Sequence, residues 1–417
     1  MAVPSSVDVP ESMVLEPGEW RYKGEGNENM VFSYRGGNVD IRGWLLRLSK
    51  CDAAKNASVS TTCRLDDLQR KQANAAYVTG VIGPLLGPEY ILQQRLVKLE
   101  PAFLCQLQAA CEPLRPAHRI YRQIDQQQSV GTLMPNAFRG IPVGGASQRA
   151  QVVTVELKPK WGFMPSPASL SSHSSAKARV CRYCMHQFTK HAAQDISCFC
   201  PLDLFSGDRH RIVRALDCLA QSPQNNLRVF VDDHLAIDSR GKVSEECVPR
   251  WEALRDCIAD IVLKERLFPR LKECQRRLDS LDIEGIFPLY TRAVKSGSLA
   301  NVQPSTSDWL SAVANYLQHT EKAGPAATEV DDKQAVLEFL ISTTLKDISV
   351  LITLPEWAVS NASLDGTCTE PRYAIAVIDS DPKRLTKIPE YHAKDQRIVA
   401  TYLKHCPELD SQRPCRE

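Results

Sequence analysis

Two lysines spaced two residues apart in Val155–Phe163, VELKPKWGF, are the side chains of this 417-residue chain best placed for chemistry. In an extended strand, residues i and i+2 leave one face. Lys158 and Lys160 would then hold two ammonium charges side by side, which suits a ligand with several phosphates. Glu156, in the same run, is available for a separate task. The competing reading is an edge strand whose lysines discourage aggregation.

Other groups add to that pair. Gly24-Glu25-Gly26-Asn27-Glu28-Asn29 is a glycine-rich turn between β-like segments, able to lay backbone N–H groups over phosphates. It lacks the Gly-Lys-Ser/Thr ending of a P-loop and no helix follows it, so an ordinary hairpin is the alternative. Arg47, in LLRLSK, would set a fixed cation beneath such a turn. Asp347 follows the apolar segment LISTTLK and Asp379 follows YAIAVI, with Asp381 two residues on. A carboxylate at a strand end can act as a general base or bind magnesium, or it can simply form a turn. Arg119, Lys190, Lys383, Lys387 and the Asn225-Asn226 pair supply separated cations and amides, and several phosphates require several separated donors.

Cys181-Arg-Tyr-Cys184 has metal-ligand spacing, and zinc needs four nitrogen or sulfur donors. Cys200 and His173 complete the expected set, because the four flank one short insertion. Cys198 competes with Cys200, and His186 with His173; His191 also lies nearby. Buried free thiols are the alternative.

The elements that must position these groups are legible in outline. MVFSYRGGNVDIRGWLLRL alternates about a turn at Arg35–Asn38 and reads as a hairpin. ANAAYVTGVIGPLLG and PAFLCQLQAACEPL carry apolar residues at helical spacing. PLDLFSGDRHRIVRALDCLAQSPQNNLRVFVDD reads as turn, amphipathic helix, loop and strand. Residues 244–322 favour helix, and WEALRDCIADIVLKERLF is strongly amphipathic. Segments 296–308 and 320–332 read as loops. LISTTLKDISVLITL and YAIAVIDSD return to strands before a last helix from Pro389. Strands first, then helices and a second sheet, is an α+β pattern in two lobes.

Composition narrows the field. A hydrophobic fraction of 43% and a charged fraction of 24% are ordinary for a globular protein. A net charge of +2 gives no sign of a nucleic-acid or membrane partner. No run approaches the ~20 apolar residues that span a bilayer, and the first residues lack the pattern of a secretory leader. The expected setting is cytoplasmic or nuclear, the expected state a monomer. The fifteen cysteines then read as reduced thiols, some of them metal ligands.

Seven motifs together, GEGNENMV, ELKPKWGF, VCRYCMHQ, CPLDLFSG, PQNNLRVF, LKDISV and VIDSDPK, give a chain that resembles the inositol-pentakisphosphate 2-kinases, in their animal form. The resemblance spans residues 20–400. It implies a two-lobed inositol-polyphosphate-kinase-like fold, with an N-terminal lobe over 1–134 and a larger, helical C-terminal lobe over 135–417. It implies ATP and magnesium as cofactors, and transfer of the γ-phosphate to the axial 2-hydroxyl of inositol 1,3,4,5,6-pentakisphosphate. Gly24, Glu25, Gly26, Asn27, Asn29, Arg47, Asn136 and Glu156 would contact the nucleotide. Asp347 would be catalytic and Asp379 would bind magnesium. Arg119, Lys158, Lys160, Lys190, Asn225, Asn226, Lys383, Lys387 and Tyr391 would hold the inositol phosphate. The cysteine knuckle is a feature of animal members, and its zinc would be structural. Trp161 departs from the pattern, which has a small residue after KPK, and position 387 varies within the family. A non-catalytic inositol-phosphate-binding scaffold of the same fold is the other function class; magnesium-dependent ATP consumption separates the two.

Overall fold

The computed structural model describes residues 13–52, 62–139, 151–190, 195–237, 251–299, 303–321, 331–357, 372–406 and 414–417. The expected loops at 296–308 and 320–332 fall partly outside these residues, and His191 wholly outside them. Residues 1–79 and 92–139 form one compact unit, and residues 80–91 and 140–417 form another. The chain is α+β.

The first unit is built on a six-stranded sheet. Its strands are β1 (Trp20–Glu25), β2 (Asn29–Tyr34), β3 (Trp44–Asp52), β4 (Arg95–Lys98), β5 (Arg122–Ile124) and β6 (Val130–Pro135). The order is β1-β2-β3-β6-β4, with β5 on the end of β3 and every pairing antiparallel. Alternation puts Met30, Phe32, Leu46 and Leu48 on one face, where they meet Phe103, Leu104 and Leu107 of the helix Pro101–Cys111. The expected hairpin about Arg35–Asn38 is the β2–β3 pair, registered Val31 to Arg47.

The second unit holds a five-stranded antiparallel sheet of β7 (Gln151–Leu157), β8 (Leu227–Val231), β9 (His234–Ile237), β10 (Ser349–Trp357) and β11 (Ala374–Ile378), in the order β11-β10-β7-β8-β9. β7 is central and buried on both faces from Val153 onward. Its odd residues, Val153, Val155 and Leu157, are apolar, while Thr154 is satisfied across the sheet by Thr353, hydroxyl to hydroxyl at 3.0 Å. Helices Arg182–Lys190, Arg209–Gln221, Trp251–Lys264, Leu267–Arg277, Asp282–Ser296, Thr306–Glu321, Asp332–Leu345 and Ile388–His405 are the longer helices of the unit.

Two elements differ from expectation. The Lys-x-Lys pair does not continue the strand: β7 stops at Leu157, because Pro159 has no N–H for the ladder and Lys160 is left-handed (φ 63°). LISTTL is helical rather than extended. Its β-branched residues favour a strand, but Asp331 caps the helix by accepting from Lys333 N at 3.1 Å. Thr343 and Thr344 then donate their hydroxyls to Phe339 O and Leu340 O, one turn back. Asp347 therefore lies in the turn between this helix and β10, not after a strand.

A buried ionic knot ties the last helix down. Lys177, 1% exposed, donates to Asp282 and, at 2.7 Å, to Asp395 of the helix Ile388–His405, and Arg182 reaches Asp395 at 2.7 Å.

Candidate active site

The ends of β7, β10 and β11 converge in the second unit. Lys158 and Lys160 lie just past β7, Ser349 opens β10, and Asp379 follows β11 in the left-handed region (φ 61°). Two non-glycine residues with positive φ, Lys160 and Asp379, mark backbone that costs about 1–3 kcal/mol each and persists only where its surroundings enforce it. Lys158 Nζ lies 2.6 Å from Asp379 Oδ2, Lys160 Nζ 3.4 Å from Asp347 Oδ1, and Lys383 Nζ 2.7 Å from Asp347 Oδ2. Ser349 Oγ lies 3.2 Å from Asp379 Oδ2 and 2.9 Å from Glu156 Oε1, so one hydroxyl links the two carboxylates.

These contacts set the electrostatics. Burial would raise the Asp347 carboxyl, but Lys383 and Lys160 outweigh it and hold the group at about 2. Burial lowers the Lys160 ammonium, and the Asp347 charge only partly restores it. Lys158 is raised, because Asp379 overcomes the burial that opposes its charge. Tyr391 is pushed up to about 12 by burial and by Asp347. Two aspartates thus offset most of the charge of three lysines, leaving the group net positive. An incoming phosphate would compete for the lysines, and a divalent cation for Asp379.

Other expected residues divide. Lys190 ends its helix exposed, close enough to Lys160 to lower it. Asn225 is exposed, whereas Asn226 is buried, donates to Tyr183 Oη at 2.8 Å, and anchors Lys158 N through its backbone oxygen at 2.9 Å. The Asn226 side chain is therefore turned into the fold. Lys387 is paired at 2.7 Å with Glu390, in the first turn of the helix that Lys387 precedes. The Glu156 carboxylate is buried against Ser349 and, at 3.4 Å, Arg228. The Trp161 ring carries the cations of Arg182 (4.8 Å) and Lys346 (4.2 Å) over it. Sequence reasoning passed over Ser349 and Lys394. Burial pushes the Lys394 ammonium down, as do Arg182, Lys190 and Arg397, while Asp347 opposes them. Its helical spacing from Tyr391 was the available signal.

In the first unit, Gly24–Asn29 spans the end of β1, the turn and the start of β2, with Gly26 N donating to Asn29 O at 2.9 Å. A Cβ at Gly24 or Gly26 would meet nothing within 4 Å, so that face is open within the unit. Asn29, with its amide oxygen toward Arg47, accepts from Arg47 Nη2 at 2.6 Å, which brings two expected residues together. The Glu25 carboxylate points inward instead, paired with Lys50 and, at 2.8 Å, Arg115; only its backbone is left for a ligand. Asn136 caps the turn after β6, its Oδ1 accepting from Phe138 N at 3.1 Å. Arg119 has a buried Nη1 without a hydrogen-bond partner among the described residues, a donor suited to an anion.

The cysteine cluster differs from expectation in one member. Cys181, Cys184 and Cys200 are joined by Cys415, the four sulfurs lying within 4.8 Å of one another. His173 is exposed and outside the cluster, and half-buried His186 is outside it too. Cys415 is carried in from the far end of the chain, where its N–H donates to Arg179 O at 3.0 Å. Cys181 and Cys200 sulfurs are 3.9 Å apart, matching the ~3.8 Å edge of a tetrahedron with Zn–S bonds of about 2.3 Å. The four thiols therefore fit a structural zinc. Cys198 is excluded, since it forms a disulfide with Cys218, which also departs from the expectation of uniformly reduced thiols.

Among the described residues no helix is long and apolar enough to cross a membrane. A profile of the family described as inositol-pentakisphosphate 2-kinase matches residues 22–397. The chain is 27% identical to the inositol-pentakisphosphate 2-kinase of Arabidopsis thaliana, with 94% of this chain and 95% of that protein covered. It is 29% identical to the IPK1 2-kinase of Oryza sativa subsp. indica (94% and 96% covered) and 26% identical to the Danio rerio 2-kinase (94% and 94%). Plant and fish relatives match over the same length, so the likeness is to the family as a whole. The chain belongs to the inositol-pentakisphosphate 2-kinase family.

Proposed function

We infer that this protein transfers the γ-phosphate of ATP to the axial 2-hydroxyl of inositol 1,3,4,5,6-pentakisphosphate, giving inositol hexakisphosphate. Membership in a kinase family supports phosphotransfer as the reaction class. The observation that carries the finer reading is the pairing of Lys158, Lys160 and Lys383 with Asp379 and Asp347. A polyphosphate acceptor needs such cations, and a phosphoryl transfer needs such carboxylates.

In this reading Lys158, Lys160, Lys190 and Lys383 hold phosphates of the acceptor, with Tyr391 and Asn225 as further donors. Fixing those phosphates decides which hydroxyl is presented. Asp347 accepts the proton of the 2-hydroxyl or orients it, and the lysines leave its charge to the acceptor as they turn to phosphate. Asp379, steadied by Ser349, is the magnesium ligand; magnesium, when bound, would draw charge from the transferring phosphoryl group. The Gly24–Asn29 amides and Arg47 are the nucleotide-phosphate donors. Zinc at the four cysteines would brace the fold without touching the reaction, and the cluster supports an animal-type member.

The test is ATP consumption by purified protein with magnesium and inositol pentakisphosphate. Turnover that requires all three is expected. Tight binding of the inositol phosphate without ATP consumption would instead favour a scaffold.

A further inference from the structure

The chemistry above makes no use of Gln275, a fully buried residue (0% exposed) of the helix Leu267–Arg277. Its side-chain Nε2 donates to Lys160 O at 2.9 Å and to Leu345 O at 3.0 Å, and its Oε1 accepts from Gly162 N at 2.8 Å. Ser342 Oγ, also buried, donates to the Gln275 backbone oxygen at 2.8 Å. One amide thus joins two segments distant in sequence, and only an amide offers two donors and an acceptor at one point.

Each segment carries a residue of the site. Lys160 is held left-handed, a conformation that residues with side chains seldom adopt. Gln275 bonds on both sides of Trp161 to keep it there. Gly162 completes the bend, since a Cβ there would lie 2.8 Å from the Phe205 ring. Leu345 is the last residue of its helix, two before Asp347. The side chains of Lys160 and Asp347 meet at 3.4 Å, while the backbone of Lys160 and that of Leu345, two residues before Asp347, bond to the same amide.

We propose that Gln275 is a positioning residue of the acceptor site, fixing the spacing between the phosphate-holding Lys160 and the hydroxyl-facing Asp347. This deepens the kinase reading and rests on it. Gln275→Met keeps the volume and removes all three bonds. In steady-state kinetics it should raise KM for inositol pentakisphosphate and lower kcat, each by about tenfold, and leave KM for ATP within about twofold. In the Lys160→Ala background the KM effect should vanish, because Gln275 acts through Lys160. An equal rise in both KM values, or the same KM effect in that background, would overturn the proposal.

Should Gln275→Met not fold, Gln275→Glu replaces it. Protonated, it keeps the acceptor and one donor, so its KM should rise with pH as the buried carboxyl ionises. A pH dependence identical to wild type would count against the proposal. If wild-type protein binds inositol pentakisphosphate but transfers no phosphate, the kinase reading fails separately. Gln275→Met is then judged by affinity for that ligand, and an unchanged affinity overturns the positioning role.

Discussion

Asp347 shows how neighbouring cations set the charge of a carboxylate. Its carboxyl would be raised by burial, yet Lys383 and Lys160 hold it near 2, well below its ordinary 3.8. A depressed carboxyl favours the folded state above its ordinary value, and that contribution is lost as pH falls through the folded value. The difference in thermal midpoint between wild type and Asp347→Asn should therefore hold from neutrality to about pH 4 and shrink toward pH 2. Differential scanning calorimetry across that range checks it; a difference constant to pH 2 would mean the ion pairs do not form. Lys158→Ala and Lys160→Ala should each weaken inositol-phosphate binding by about tenfold or more, the loss of a charge-assisted contact of about 1.5–3 kcal/mol. Nucleotide affinity should change far less, and isothermal titration with each ligand separates the two.

At the scale of elements, positions of chemistry were legible where spacing is local. The knuckle Cys181-x-x-Cys184, the aspartate after YAIAVI and the hairpin about Arg35–Asn38 follow short-range rules. What failed depended on distant context. Helix or strand for LISTTL turned on a cap at Asp331 and on packing against neighbouring helices, not on β-branched content. Cys415 and Gln275 carry no local signal at all, because their partners lie far away in sequence. The cysteine cluster makes a prediction that distinguishes its fourth member. Elemental analysis should find about one zinc per chain, diminished in Cys415→Ser and unchanged in His173→Ala. The ionic knot makes another: Lys177→Met leaves Asp282 and Asp395 buried together and should cost about 3–5 kcal/mol, read by urea unfolding. A loss below about 1 kcal/mol would mean that Arg182 alone neutralises the pair.

Over the whole molecule, a net charge of +2 hides how unevenly charge is placed. Lysines and aspartates gather where three strand ends meet, and glycines and Arg47 gather at one hairpin of the other unit. Composition cannot report such clustering; only the order of motifs along the chain did. The most direct measurement is to incubate purified protein with ATP, magnesium and inositol 1,3,4,5,6-pentakisphosphate and to assign the product by phosphorus and proton NMR. Wild type should give one new phosphate on the axial 2-hydroxyl, and Asp347→Ala should bind the inositol phosphate yet form almost no product. A new phosphate elsewhere, or full turnover by folded Asp347→Ala, would contradict the assignment of this site.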